Sequence, residues 1–148
     1  MDIQLIKTLR DLTGSGVADC RKALEESNGD ITQAKELLAK TASTKAQKKQ
    51  DREIKDGLVT SYIHGNGKIG VLLELGCETD FVAKTDDFTT LAKEIAMQIT
   101  AMDPANLEDL LEQDYIRDGS KKIKDLVAGV VAKTGENIKV GRFTRYEI

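Results

Sequence analysis

Between Ile3 and Leu12 the apolar residues Leu5, Leu9 and Leu12 fall three or four apart and, joined by Ile6, gather into one stripe of a helix. Gly14 stops that helix, and a second opens at Ser15 or Gly16, with Val17, Cys20 and Leu24 on one face and Ala23 beside them. Asn28-Gly29 supplies a left-handed exit. Asp30 stands where an N-cap is wanted and Gln33 where a capping box is completed, and the third helix is predicted to bury Ile31, Ala34, Leu37 and Leu38. Residues 1–40 therefore read as a miniature three-helix bundle. So little apolar area makes it marginal alone, so its use is to display a surface, or else to cap the main unit.

The pattern lapses over residues 41–56, where Lys45, Lys48, Lys49, Arg52 and Lys55 alternate with Gln, Asp and Glu. This is a charged linker with a solvated helical segment around Ala46 to Ile54. Its basic residues have no interleaved aromatics on which bases could stack, so a solvated face is preferred to an RNA contact.

Gly57 opens a second unit, residues 57–148. Leu58 to His64 and Lys68 to Leu75 are strand-like, and Gly65-Asn66-Gly67 between them signals a hairpin. On the second strand Ile69, Val71, Leu73 and Leu75 alternate onto one side, which must be covered by helices. Phe88, Leu91, Ile95, Ile99 and Met102 supply a long helical stripe behind a Thr85-Asp86-Asp87 start, and Asp103-Pro104 ends it. A shorter stripe, Leu107, Leu110 and Leu111, spans about Ala105 to Gln113. After an Asp118-Gly119-Ser120 turn, Ile123, Leu126, Val127, Val130 and Val131 mark a further helix closed by Gly135. The chain finishes in a strand from Asn137 to Tyr146, where Phe143 is out of phase with Ile138 and Val140; a bulge at Gly141-Arg142 is predicted. The fold class is α+β: a three-helix N-terminal unit, then a three-stranded antiparallel sheet with helices on one face.

A net charge of -3 with 32% charged residues gives no global pull toward nucleic acid. No run approaches the roughly 18 apolar residues that cross a bilayer, so no membrane association is expected. Cys20 and Cys77 lie far apart without metal-ligand spacing and read as small buried hydrophobes in a reducing compartment, though one disulfide between them stays open. The expected location is cytoplasmic, or an organelle interior if a transit peptide has been removed.

Candidate chemistry is sparse. His64 is the only histidine, and a hairpin puts it at the opposite end of the sheet from Cys77, which argues against a nucleophile pair. Gly65-Asn66-Gly67 joins two strands instead of opening a helix, and Gly14-Ser15-Gly16 lacks the lysine of a phosphate-binding loop. Glu78, Asp80, Asp86 and Asp87 lack the alternation of a calcium loop. The residues thus point to a non-enzymatic interaction protein with no cofactor and no metal. Within it, Gly76-Cys77-Glu78-Thr79-Asp80-Phe81-Val82-Ala83-Lys84 is the stretch of most interest, because it reads as a connecting loop that carries a large aromatic among charges. Either Phe81 or Val82 folds back as a hydrophobic staple for the following helix, or the aromatic projects as an anchor for another protein.

Leu9-Arg10 with Thr13-Gly14-Ser15-Gly16, Asp19-Cys20-Arg21-Lys22-Ala23-Leu24, Asn28-Gly29-Asp30, Cys77 through Lys84, and Gly135-Glu136-Asn137-Ile138 together resemble the elongation factor Ts family, in the family's order. These are the guanine-nucleotide exchange factors of translation elongation factor Tu. The resemblance implies a ubiquitin-associated-like three-helix unit in residues 1–40 and an α+β core of the dimerisation type in residues 57–148. It implies that Thr79, Asp80, Phe81 and Val82 form a wedge that pushes between two helices of the partner's G domain and disturbs its Mg²⁺ and phosphate site. It further implies docking through Lys7, Arg10, Gly14, Gly16, Val17 and Ala18, where many relatives have bulky methionines in place of Val17-Ala18. Only about 30 residues separate the long helix from Gly135-Glu136-Asn137-Ile138, a short form in which a homodimer through the exposed sheet is expected. Thr144 stands where some relatives carry a cysteine, which excludes a disulfide there. The alternative from another class is an adaptor module without exchange activity, and a third reading is an RNA-binding module using Lys45 to Lys55.

Overall fold

The computed structural model describes residues 2–148. Helix α1 (Ile3–Thr13) starts at Asp2, whose carboxylate accepts the Gln4 N–H at 2.8 Å, and ends at Gly14 in the left-handed region. Helix α2 (Val17–Glu26) leaves through Asn28 and Gly29, both at positive φ. Asp30 caps the next helix by accepting the Gln33 N–H at 2.9 Å. Leu9, Cys20, Ala23, Leu24, Ala34 and Leu38 form a small core of their own, with Leu5, Ile6, Ile31 and Leu37 half-buried around it. Leu12, placed by its spacing on the buried stripe, is instead 56% exposed.

The third helix departs from the sequence reading. It does not stop near residue 40: α3 runs unbroken from Ile31 to Lys49, through the stretch read as a linker. The helical segment expected from Ala46 to Ile54 is therefore the end of α3, and only the residues after Lys49 leave the helix. Packing explains the continuation. The distal half of α3 lies against the last helix, α7 (Ile123–Thr134), and the small Ala46 packs on the main core. Lys45 also reaches back to Asp19 at 2.7 Å, which ties α3 to α2.

Strands β1 (Asp56–His64) and β2 (Ile69–Cys77) form the expected hairpin about Gly65-Asn66-Gly67, with His64 opposite Ile69 and Asp56 opposite Cys77. The final strand β5 (Lys139–Glu147) pairs with β2, so the sheet order is β1-β2-β5, antiparallel throughout. Leu73 faces Phe143 and Leu75 faces Val140, so Glu74 alone opposes Gly141 and Arg142, which is the bulge predicted from the phase break. Val71, Leu73 and Leu75 turn inward onto helix α5 (Asp86–Met102), whose Phe88, Leu91, Ile95 and Ile99 are buried, and α7 closes the layer with Ile123 and Val131. Met102, expected on that stripe, is 50% exposed at the helix end.

Helix α6 (Leu107–Glu112) leads into a feature the sequence reading missed. Residues 114–122 form a two-stranded ribbon, β3 (Asp114–Tyr115) with β4 (Asp118–Lys122), and the turn is Ile116-Arg117, not Asp118-Gly119-Ser120. Gln98 organises it from α5: its amide donates to Gln113 Oε1 at 3.2 Å and the Asp114 carbonyl at 3.0 Å, and its Oε1 accepts the Ile116 N–H at 3.0 Å. A buried amide so satisfied fixes a short ribbon that has almost no apolar pattern of its own.

Candidate partner-binding site

The stretch from Gly76 to Lys84 is not wholly a loop, because Asp80–Ala83 forms a single helical turn, α4. Thr79 caps it: its Oγ1 accepts the Val82 N–H at 3.4 Å and its carbonyl accepts the Ala83 N–H at 3.2 Å. Lys84 donates to Asp80 at 3.3 Å along the same turn. Thr85 Oγ1 donates to the Val82 carbonyl at 2.7 Å and also accepts the Phe88 N–H at 3.3 Å, so a two-residue joint leads directly into α5.

Successive helical side chains point about 100° apart, and this divides the turn between two environments. Val82 is 8% exposed and packs in the main core, whereas Phe81 is 81% exposed. The staple and the projecting aromatic are therefore both present, one residue apart. Val82, expected within the wedge, is turned into the protein and supports it from behind; Asp80 and Phe81 are the exposed pair.

Behind the turn two carboxylates are exchanged between distant parts of the chain. Glu136 Oε1 accepts the N–H groups of Glu78 at 3.0 Å and Thr79 at 2.9 Å, and Glu136 Oε2 accepts the Thr79 hydroxyl at 2.6 Å. In return Glu78 Oε2 accepts the Asn137 N–H at 2.6 Å, while Glu78 Oε1 pairs with Arg52 Nε at 3.0 Å. Asn137 is buried, and its amide donates to the Arg52 carbonyl at 2.7 Å and the Gln50 carbonyl at 3.4 Å. The sequence reading gave Glu78, Glu136 and Arg52 no role. Their partners are 57 to 59 positions away in the carboxylate exchange, which no local pattern records.

Cys77 lies at the base of this arrangement, buried, its thiol donating to the Thr79 carbonyl at 3.1 Å. Burial, and then the nearby charge of Glu136, push that thiol up to about 11. His64 is at the far end of the hairpin, so the two do not meet. Cys20 and Cys77 are both free, and burial raises the Cys20 thiol as well.

The second predicted surface surrounds the junction of α1 and α2. Lys7, Arg10, Gly14, Gly16, Val17 and Ala18 are all exposed there, Val17 by 52%. Ile3, which the sequence reading passed over, is 78% exposed and shares the face of Lys7 and Arg10 by its spacing. Lys133 links this region to the other: a Cβ on Gly14 would lie 2.7 Å from its Cε, and its Nζ is 3.6 Å from Asp87 in the first turn of α5. On the outer face of the sheet Val59, Ile63, Leu72 and Tyr146 remain exposed, with Ile63 and Tyr146 flanking Gly70.

Comparison with known proteins decides the family. The model described as Elongation factor TS matches residues 78–148. The elongation factor Ts of Thermotoga neapolitana is 44% identical over 191 aligned positions, covering 100% of this chain and 97% of its own. That of Thermotoga maritima is also 44% identical, covering 100% and 96%, and that of Fervidobacterium nodosum is 43% identical, covering 98% and 96%. The chain belongs to the elongation factor Ts family.

Elongation factor Ts membership gives the chain a role in translation elongation. The family match to residues 78–148 takes in α4 and also Glu136 and Asn137, the groups that brace it. The α1–α2 surface lies before residue 78 but within the span shared with the elongation factor Ts relatives. An alignment of 191 positions against a chain of 148 means that these relatives carry internal segments without a counterpart here. Among the described residues no helix is long and apolar enough to cross a membrane, and no group of three or more His, Cys, Asp or Glu is placed to hold a metal ion.

Proposed function

We propose that this chain binds elongation factor Tu in its GDP-bound and nucleotide-free states and promotes GDP release by disturbing the partner's Mg²⁺ and phosphate site. The observation that carries this reading is Phe81, held 81% exposed on a turn whose neighbouring residue is anchored in the core. Such an aromatic beside a carboxylate suits a cleft on another protein, and buried aromatic anchors contribute about 2 to 4 kcal/mol at interface hot spots. Thr79 shapes the turn, Asp80 biases polar groups near the metal site, Phe81 fills the cleft, and Val82 keeps the turn seated. Lys7, Arg10, Gly14, Gly16, Val17 and Ala18 form the second contact, nearer the nucleotide.

The mechanism is linkage and needs no covalent step, so the chain is an exchange factor and not an enzyme. A factor that favours the conformation with a disturbed metal site weakens GDP by the same ratio by which GDP weakens the factor. The test is stopped-flow release of a fluorescent GDP analogue from elongation factor Tu at sub-saturating factor. Phe81→Ala is expected to slow release roughly 30-fold or more, the equivalent of 2 kcal/mol; wild-type release by that variant would discard the wedge.

The exposed apolar face of Val59, Ile63, Leu72 and Tyr146 supports association of two copies through their sheets. Light scattering at micromolar concentration is expected to give the mass of a homodimer. Leu72→Asp is expected to return a monomer, and a wild-type monomer across that range would remove the dimer.

A further inference from the structure

We infer that Glu136 is a positioning residue for the Phe81 turn, holding it in its binding shape before the partner arrives. The inference rests on the wedge reading above and deepens it. One side chain, in the short connection between α7 and β5, accepts both N–H groups that precede α4 and the hydroxyl of the residue that caps it, at 2.6 to 3.0 Å. Among the described residues those groups have no other acceptor. The Glu78 and Thr79 N–H groups point toward α7 and β5, not along a strand, because β2 ends at Cys77.

Without the carboxylate, two backbone donors and the capping hydroxyl lose their partner together, and the one-turn helix keeps its internal bonds, the Cys77 thiol on the Thr79 carbonyl and the packing of Val82. A single turn is too short to be stable by itself. The turn would then sample more orientations about its Val82 anchor, and ordering it would be charged against binding. Glu78 and Asn137 extend the brace to the end of α3 through Arg52 and Gln50, so Glu136 is set in a rigid frame and not on a free loop. Because α4 touches the partner and Glu136 stands behind it, the carboxylate acts through Phe81 and makes no contact of its own.

The experiment is a double-mutant cycle on the full chain, read by fluorescent GDP release from elongation factor Tu over a range of factor concentrations. Glu136→Ala is expected to raise the half-saturating concentration about tenfold, with the maximal release rate within about twofold, since ordering is regained once the turn is bound. Glu136→Gln keeps an acceptor for the two N–H groups and is expected to stay within about threefold of wild type. In the Phe81→Ala background, Glu136→Ala is expected to add nothing, because an unanchored turn gains nothing from being held. Amide hydrogen exchange of Glu78 and Thr79 should accelerate in Glu136→Ala while that of Ile95 does not, which separates a local from a global loss. Should Glu136→Ala fail to fold, Thr79→Ala replaces it in the cycle with the same expected non-additivity. An impaired Phe81→Ala with an unimpaired Glu136→Ala, or full additivity of the two, overturns the role of Glu136 alone. A wild-type Phe81→Ala removes the wedge reading, and this role with it.

Discussion

Phe81 and Val82 are adjacent in one helical turn, yet one is 81% exposed and the other 8%. Their substitutions should therefore separate binding from stability. Phe81→Ala is expected to leave the thermal unfolding midpoint unchanged within about 1–2 °C, since little apolar area is lost from the fold itself. Val82→Ala is expected to destabilise by about 1 to 2 kcal/mol, because two buried carbons are removed and leave a small cavity. Calorimetry on both variants checks this; equal losses would mean that Phe81 is not free of its own subunit.

Cys77 should resist thiol reagents in the native state. With the thiol raised to about 11 and its side chain buried, almost no thiolate exists at neutral pH, so labelling is expected only as denaturant opens the sheet. The sign for stability follows from the same shift. A folded thiol raised above its unfolded value is neutral in both states at low pH. Stability is therefore complete below about 8.5, the ordinary thiol range, and declines as pH rises toward about 11. Cys77→Ser should flatten that decline, and an unchanged alkaline limb would place its cause elsewhere.

At the bulge, Glu74 Oε1 accepts both the Arg142 backbone N–H at 3.0 Å and its Nε at 2.6 Å. The Arg142 guanidinium, and then that N–H, hold the Glu74 carboxyl below the usual glutamate range. A depressed folded value means that the contribution is present above the unfolded pKa, about 4.3, and is lost as pH falls through the lower folded one. Both groups are exposed, so the contribution to stability is small. The Arg142 amide signal in NMR is expected to titrate with a midpoint below the usual range, and to stop titrating in Glu74→Gln. A midpoint at or above about 4.3 would show that the bulge is not held by this carboxylate.

Two glycines should respond to alanine with opposite signs. Gly57 has φ 148°, and a Cβ there would lie 2.8 Å from Gly76 Cα and against the Leu75 carbonyl, so Gly57→Ala is expected to cost about 1 to 3 kcal/mol. Gly129 lies inside α7 with open space around it, and Gly129→Ala is expected to stabilise by about 0.5 to 1 kcal/mol. Urea unfolding of the pair tests this, and loss of stability at Gly129 would reveal crowding on that helix face.

Much of the architecture follows from local pattern. Alternation in β2, the Gly-Asn-Gly turn, the stripe of α5 and the phase break at Phe143 each lead to the element observed, because a half-buried strand or helix must repeat its apolar positions at its own period. The charged stretch after residue 40 reads as a linker because its apolar signal is weak; an alanine that seats a helix against its neighbours, as Ala46 does, leaves almost no periodic trace. The β3–β4 ribbon leaves little trace for a related reason, since a buried glutamine on α5 satisfies it and most of its own residues stay exposed, with Tyr115 alone packed against the main core.

Taken alone, the order of residues determined the strands of the main sheet and most of the helices, the hairpin and the bulge in β5, and the stretch that carries the aromatic, since each depends on neighbours within a few positions. It left open whether Phe81 or Val82 would turn inward. Only the tertiary structure decided that, by turning the Val82 side of α4 into the main core and bringing Glu136 across to hold the turn. Those contacts join positions tens of residues apart. Burial and long-range hydrogen bonding are properties of a packed chain, and no spacing along a linear one encodes them.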